Sequence, residues 1–130
     1  MKSVLIVEDE IFVAMDLERI LEEGGYHVAA IAADQQEALS AAANGVELAF
    51  VDINLRDGPT GPMIAQDIAQ RFGVRIVYVT ANPSQIGEPA ATAVGCIRKP
   101  FSEESILAAA ALAAETDSGT RVYHEDIIPI

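Results

Sequence analysis

The feature that most constrains this chain is an alternation. Five short runs, at 3–7, 27–32, 48–51, 75–80 and 95–98, are apolar at nearly every position, and stretches with helical spacing separate them. A strand with one wet face would alternate polar and apolar residues. Near-continuous runs of four to six residues therefore read as strands buried on both faces. Of the helical stretches, the first carries the stripe Ile11, Met15, Leu17, Ile20 and Leu21 and closes at Gly24-Gly25, where a helix end favours glycine. The second runs 36–43 behind the cap candidate Asp34 and closes at Asn44-Gly45; the third runs 62–72 and ends at Gly73. A weaker one spans 89–94, and the last runs 103–114 with Ser102 as its N-cap. Strands covered on both faces need helices on both sides of one parallel sheet, joined by right-handed crossovers. The prediction is an α/β, doubly wound, five-stranded parallel sheet with five helices, occupying residues 1–115 and followed by a tail at 116–130.

Composition narrows the function. The chain's 130 residues suit one domain, and its 51% apolar content is too high for disorder. No apolar run reaches the roughly 18 residues of a membrane span, and no signal-peptide pattern opens the chain. Eight Lys and Arg against 20 Asp and Glu give a net charge of −12, which argues against binding a nucleic-acid backbone. One cysteine excludes an internal disulfide framework or a multi-cysteine metal cluster. The expectation is a cytoplasmic protein with neither nucleic acid nor membrane as partner. The tail passes through Asp117, Ser118 and Gly119, then turns apolar at Val122, Tyr123, Ile127, Ile128 and Ile130. It either frays or docks on its own domain or a partner.

In an open parallel sheet, ligands bind beyond the carboxyl ends of the strands. The first strand ends in Val7-Glu8-Asp9-Glu10, the third in Val51-Asp52, the fourth in Val79-Thr80-Ala81 and the fifth in Ile97-Arg98-Lys99-Pro100. Three acids, a hydroxyl and a lysine thus converge on one rim. Asp52 follows a run expected to be fully buried, where a lone carboxylate goes neutral unless a cation compensates it. Glu8 and Asp9 add like charge beside it. Such a cluster suits a hard cation: Mg²⁺ takes one or two carboxylates and keeps waters that a phosphate can replace. Asn54 can add its backbone carbonyl, and Lys99 supplies the balancing positive charge.

The four motifs together (Val7-Glu8-Asp9, Val51-Asp52-Ile53-Asn54-Leu55, Val79-Thr80-Ala81 and Lys99-Pro100-Phe101) resemble the receiver domain of bacterial two-component response regulators. The resemblance runs from Met1 to about Ala114. It implies the flavodoxin-like strand order 2-1-3-4-5. It further implies that Asp52 accepts a phosphoryl group from a sensor histidine kinase or phosphotransfer protein. Asp9, Asp52 and the Asn54 carbonyl would bind Mg²⁺, and Glu8 would hold a metal water. Thr80 would hydrogen-bond one phosphoryl oxygen and Lys99 pair with another. The chemistry is consistent with this: phosphoryl transfer needs an in-line oxygen nucleophile and positive charge around the equatorial oxygens. Asn54 and Asn82, each two residues past a key position, stand where receivers tune the lifetime of the phosphorylated state.

Three features depart from the common pattern. The residue three before the lysine is usually aromatic and swings inward on activation; here it is Cys96, expected as a buried structural thiol. The stretch Arg56-Asp57-Gly58-Pro59-Thr60-Gly61 reads as a longer loop, and 82–89 is rich in turn formers and expected to be mobile. Two histidines, His27 and His124, lie away from the acids in this reading. The expectation is a stand-alone regulator, not an enzyme, that signals by protein–protein contact or serves as a phosphate relay or sink. Its turn-rich loops are similar to receivers paired with kinases named for a His-Trp-Glu signature. The alternatives are a phosphorylation-independent binding module and a small Mg²⁺-dependent phosphohydrolase of the haloacid-dehalogenase type.

Overall fold

The structure is a computed structural model and describes residues 2–114 and 125–130. In chain order the elements are β1 (Ser3–Val7), α1 (Ile11–Glu23), β2 (His27–Ala32), α2 (Gln35–Ala43), β3 (Leu48–Val51), α3 (Gly61–Phe72), β4 (Arg75–Thr80), a 3₁₀ turn (Pro83–Ile86), β5 (Ala93–Arg98), α4 (Glu103–Ala114) and β6 (Ile127–Ile128). The sheet order is β2-β1-β3-β4-β5-β6. The first five strands pair in parallel, as the unbroken apolar runs require. All four residues of β3 are buried, so the strand that delivers Asp52 runs through the middle of the core.

The core has two halves, one on each face of the sheet. Leu5, Val7, Ala49, Val51, Ile76 and Tyr78 face a layer that includes Ala38, Ile64 and Ile68 of α2 and α3. Val4, Ile6, Phe50, Val77 and Ile97 face Leu17, Ile20 and Leu21 of α1 and Ile106 and Ala110 of α4. Helix starts follow local chemistry. The Asp34 carboxylate accepts from the Glu37 backbone N–H at 3.0 Å, and the Glu37 carboxylate reaches back to the Ala33 N–H at 2.7 Å, a reciprocal cap. Ser102 caps α4 through its hydroxyl, which accepts from the Ser105 N–H at 3.1 Å.

Three expectations are corrected. The helix expected at 89–94 does not form, so among the described residues four α-helices cover the sheet. Pro83 and Pro89 each lack an N–H, Gly87 adopts a positive φ of 65°, and β5 already begins at Ala93. Only three residues lie between Pro89 and the start of β5, too few to nucleate a helix. The sheet also gains a sixth strand: Ile127–Ile128 runs antiparallel to β5, with Cys96 opposite Ile128 and Ile97 opposite Ile127. Part of the tail therefore docks on its own domain. Gly95 gives it room, since a Cβ there would lie 2.6 Å from Ile127 Cγ2. Asp117, Ser118, Gly119, Val122, Tyr123 and His124 lie outside the described residues. Finally, α1 buries Ala14, Leu17, Ile20 and Leu21, while Ile11 and Met15 are 58% and 53% exposed. At 3.6 residues per turn, Met15 sits about 160° round the helix from Leu17 and Ile11 about 120°. Among the described residues no helix is long and apolar enough to cross a membrane.

Candidate functional site

The ladder continues just past the strand ends and fixes the backbones there. Glu8 N–H donates to the Ala32 carbonyl (2.8 Å), Asp52 N–H to Val7 (2.9 Å) and Lys99 N–H to Thr80 (3.0 Å). Glu8, Asp52, Thr80 and Lys99 therefore stand side by side on the rim where β1, β3, β4 and β5 end. A cleft of about 390 Å³ opens there, lined by Asp9, Asp52, Asn54, Thr80, Asn82 and Lys99 among others.

Its electrostatics are those of crowded acid. The Lys99 ammonium donates to Glu8 Oε1 at 2.7 Å and to Asp52 Oδ2 at 3.0 Å, with Glu10 Oε2 at 4.0 Å. Glu8 is 2% exposed and Asp52 8%. One ammonium thus serves two buried carboxylates, and Asp9 adds a third carboxylate at the surface. One oxygen from each of Glu8, Asp9 and Asp52 lies within 4.8 Å of the others. Burial pushes the Glu8 carboxyl up to about 7, against the hydrogen bond from Lys99 and helped by the Asp52 charge. Burial also works against the Lys99 charge, but its bonds to Glu8 and Asp52 outweigh that and hold it above the usual lysine value. The donor set is all oxygen with surplus negative charge. That is the chemistry a small divalent cation satisfies, so the residues present fit Mg²⁺.

The nucleophile candidate is tightly held. Asp52 Oδ1 accepts from the Ile53 N–H at 2.7 Å while Oδ2 accepts from Lys99. Thr80 is 1% exposed, and its Oγ1 accepts from the Asn82 N–H at 3.1 Å. Asn54, on the loop after β3, donates through Nδ2 to Gln85 Oε1 of the 3₁₀ turn at 3.2 Å. Glu8, Asp9, Asp52, Asn54, Thr80, Asn82 and Lys99 are thus brought together. Cys96 is not with them. It sits in the core opposite Tyr78 on β4, where burial pushes its thiol up to about 11 and keeps it protonated. His27 opens β2 at the opposite end of the strands.

The loop after Asp52 is fastened to its own domain. Arg56 pairs with Asp34 and, at 3.5 Å, with Glu37. Asp57 accepts from Thr60 Oγ1 at 2.6 Å and from the Gln35 N–H at 3.2 Å.

Three features go beyond the sequence reading. Gly61 opens α3 directly against the backbone of Asp52: a Cβ there would lie 1.9 Å from the Asp52 carbonyl oxygen. Tyr78, buried in an apolar strand, accepts from the Ala90 N–H at 2.9 Å through its hydroxyl. Phe12 is 84% exposed on α1 and lines, with Lys99, Pro100 and Phe101, a shallow cleft beside the site. For Phe12 the signal was available: it is an apolar residue off the buried stripe of its helix.

Residues 4–111 match the response regulator receiver domain family. The chain is similar to the phyllosphere-induced regulator PhyR of Methylorubrum extorquens, 34% identical over 110 residues, covering 82% of this chain and 41% of that protein. It is also similar to the transcriptional regulatory protein PdtaR of Mycobacterium tuberculosis, 36% identical over 118 residues, covering 86% and 56% respectively. The chain spans about half the length of these curated relatives. Among solved structures, the PhyR receiver domain of Erythrobacter litoralis superposes with a TM-score of 0.79 at 32% identity, covering 93% of this chain and 96% of that one. The anti-anti-sigma factor PhyR of Bartonella quintana superposes with a TM-score of 0.74 at 30% identity, covering 86% of this chain and 46% of that one.

Proposed function

This chain belongs to the response regulator receiver family, and from that premise we propose that Asp52 accepts a phosphoryl group from the phosphohistidine of a sensor histidine kinase or phosphotransfer protein. The observation that carries the reading is the shared ammonium: Lys99 bridges Glu8 and Asp52, with Asp9 beside them and Thr80 on the same rim. An Asp52 carboxylate oxygen attacks phosphorus, the bond from phosphorus to the donor's imidazole nitrogen breaks, and that nitrogen keeps the electron pair and takes a proton. Glu8, Asp9, Asp52 and the Asn54 carbonyl would hold Mg²⁺, which when bound supplies positive charge against the phosphoryl oxygens. Lys99 moves from pairing with the Asp52 carboxylate to pairing with a phosphoryl oxygen, and the Thr80 hydroxyl donates to another.

The group added carries roughly −1.5 to −2 charge and three acceptor oxygens. Thr80 is joined to Asn82 by a hydrogen bond, so drawing Thr80 toward the phosphate moves the start of the 82–90 segment. In this reading residues 1–115 carry the chemistry in the cytoplasm, 116–130 form a tail, and the output is a protein–protein contact or onward passage of the phosphate. The donor docks on Ile11, Phe12 and Met15, an exposed apolar face beside the cleft.

The test is incubation with a small phosphoramidate and Mg²⁺. One phosphoryl mass is gained per chain, and Asp52→Asn gains none. Equal uptake by Asp52→Asn would refute the assignment, and sustained turnover of an aryl phosphate would favour the phosphohydrolase alternative.

A further inference from the structure

We propose that Tyr78 is a positioning residue whose hydroxyl tethers the 82–90 segment beside the Asp52 cleft and thereby sets how long a phosphoryl group on Asp52 survives. The effect on lifetime rests on the function proposed above; the tether does not. Successive strand residues face opposite ways, so Tyr78 and Thr80 project to the same side of β4. Thr80 reaches the rim, while Tyr78, 0% exposed, lies two residues deeper in a cluster with Ile86, Ala90 and Cys96. Cys96 is directly opposite Tyr78 in the register. The aromatic ring on this face therefore belongs to β4, with a small thiol as its neighbour on β5.

The 82–90 segment is moored at four points. Asn82 N–H donates to Thr80 Oγ1 (3.1 Å), and Asn54 Nδ2 donates to Gln85 Oε1 (3.2 Å). Gln66 Nε2 donates to the Glu88 carbonyl (2.8 Å), and Ala90 N–H donates to the Tyr78 hydroxyl (2.9 Å). These moorings are unequal. The Asn54–Gln85 and Gln66–Glu88 bonds lie at the surface, where water replaces a lost partner. The Tyr78–Ala90 bond is buried, so losing it strands an N–H without water, and a segment relieves that by opening. Ala90 is 5% exposed and ends the segment as Thr80 anchors its start. Holding both ends keeps Asn82 at the cleft and Gln85 over Asn54. Loss of the phosphoryl group is attack of water on phosphorus, with the bond to the Asp52 oxygen breaking, the carboxylate restored and a proton released. A segment that opens admits that water.

Tyr78→Phe keeps the ring and removes only the oxygen. In the unphosphorylated chain without Mg²⁺, amide exchange at Ala90 is expected to speed up by roughly ten-fold. After loading with a phosphoramidate and Mg²⁺, the phosphoryl half-life of Tyr78→Phe is expected to shorten several-fold, whereas its Mg²⁺ affinity, read by titration, stays at the wild-type value. Gln66→Ala, which cuts a surface mooring, is expected to leave Ala90 exchange near wild type. Unchanged Ala90 exchange in Tyr78→Phe overturns the tether, and faster exchange with an unchanged half-life overturns its effect on lifetime. If the wild-type chain takes up no phosphoryl group, the proposed function fails and the lifetime effect with it, while faster Ala90 exchange still upholds the tether.

Discussion

Replacing Gly61 with alanine tests whether the site depends on backbone contact as closely as the geometry requires. Gly61 is the first residue of α3 and does not use a positive φ. At such a position alanine ordinarily stabilises by about 0.4–1 kcal/mol, because it narrows the unfolded ensemble. Here the added Cβ meets Asp52 O at 1.9 Å, Ile53 Cα at 2.6 Å and Asp52 C at 2.8 Å, all main-chain atoms. Relief needs a shift of about 1.5 Å, from 1.9 Å to an ordinary contact near 3.4 Å. It also strains the bond from Gly61 N–H to the Ile53 carbonyl, 2.9 Å long. Overpacking of this kind costs roughly 1–3 kcal/mol and a strained hydrogen bond about 1 more. The clash outweighs the entropy gain by about 2 kcal/mol, a fall of roughly 5–10 °C in Tm. The displaced backbone carries Asp52, the proposed nucleophile, and a misplacement near 1 Å costs on the order of 10²-fold in rate. Phosphorylation by a phosphoramidate, measured where both proteins are fully folded, is expected to slow by about that factor. An alanine variant with wild-type Tm and wild-type uptake would refute the argument.

Other outcomes follow from the charges and the exposed face. Glu8 is an acid whose folded pKa is raised from 4.5 to about 7, so the folded state binds its proton more tightly than the unfolded chain. Its stabilising contribution is complete below about 4.5 and lost as pH rises toward 7, by on the order of 3 kcal/mol. With a chelator present, denaturation midpoints of wild type and Glu8→Gln are expected to diverge across that window, and parallel curves would count against the buried charge. Lys99→Met leaves Glu8 and Asp52 facing each other without their ammonium. A loss of about 2–4 kcal/mol is expected in metal-free buffer at alkaline pH, partly recovered toward neutral pH, because without the ammonium the Glu8 carboxyl is pushed up further and takes up a proton there; a loss independent of pH would contradict the account. Phe12→Ala, at a side chain 84% exposed, is expected to leave Tm and phosphoramidate uptake unchanged while slowing transfer from a histidine kinase about ten-fold or more. Equal slowing with both donors would remove α1 as the docking face.

What the sequence revealed and what it hid divide along one physical line. The strands were legible because burial on both faces removes the polar alternation that would otherwise blur them, as in Leu48–Val51. Glu8, Asp52, Thr80 and Lys99 were legible because a parallel sheet brings every carboxyl end to one rim, so a residue's place in its own strand nearly fixes its place in the site. The helix expected at 89–94 failed because a weak helical pattern could not compete with the prolines around it and the pairing of Ala93 with β4. Gly61 and Tyr78 were hidden for a different reason. Gly61 matters through an approach to main chain nine residues away, and Tyr78 through a hydroxyl bonded to an amide twelve residues on. Neither contact leaves a period in the sequence. Chemistry set by strand ends can therefore be read in one dimension. The contacts that hold the Asp52 backbone and moor the segment beside it belong to packing between elements, where spacing has no signal.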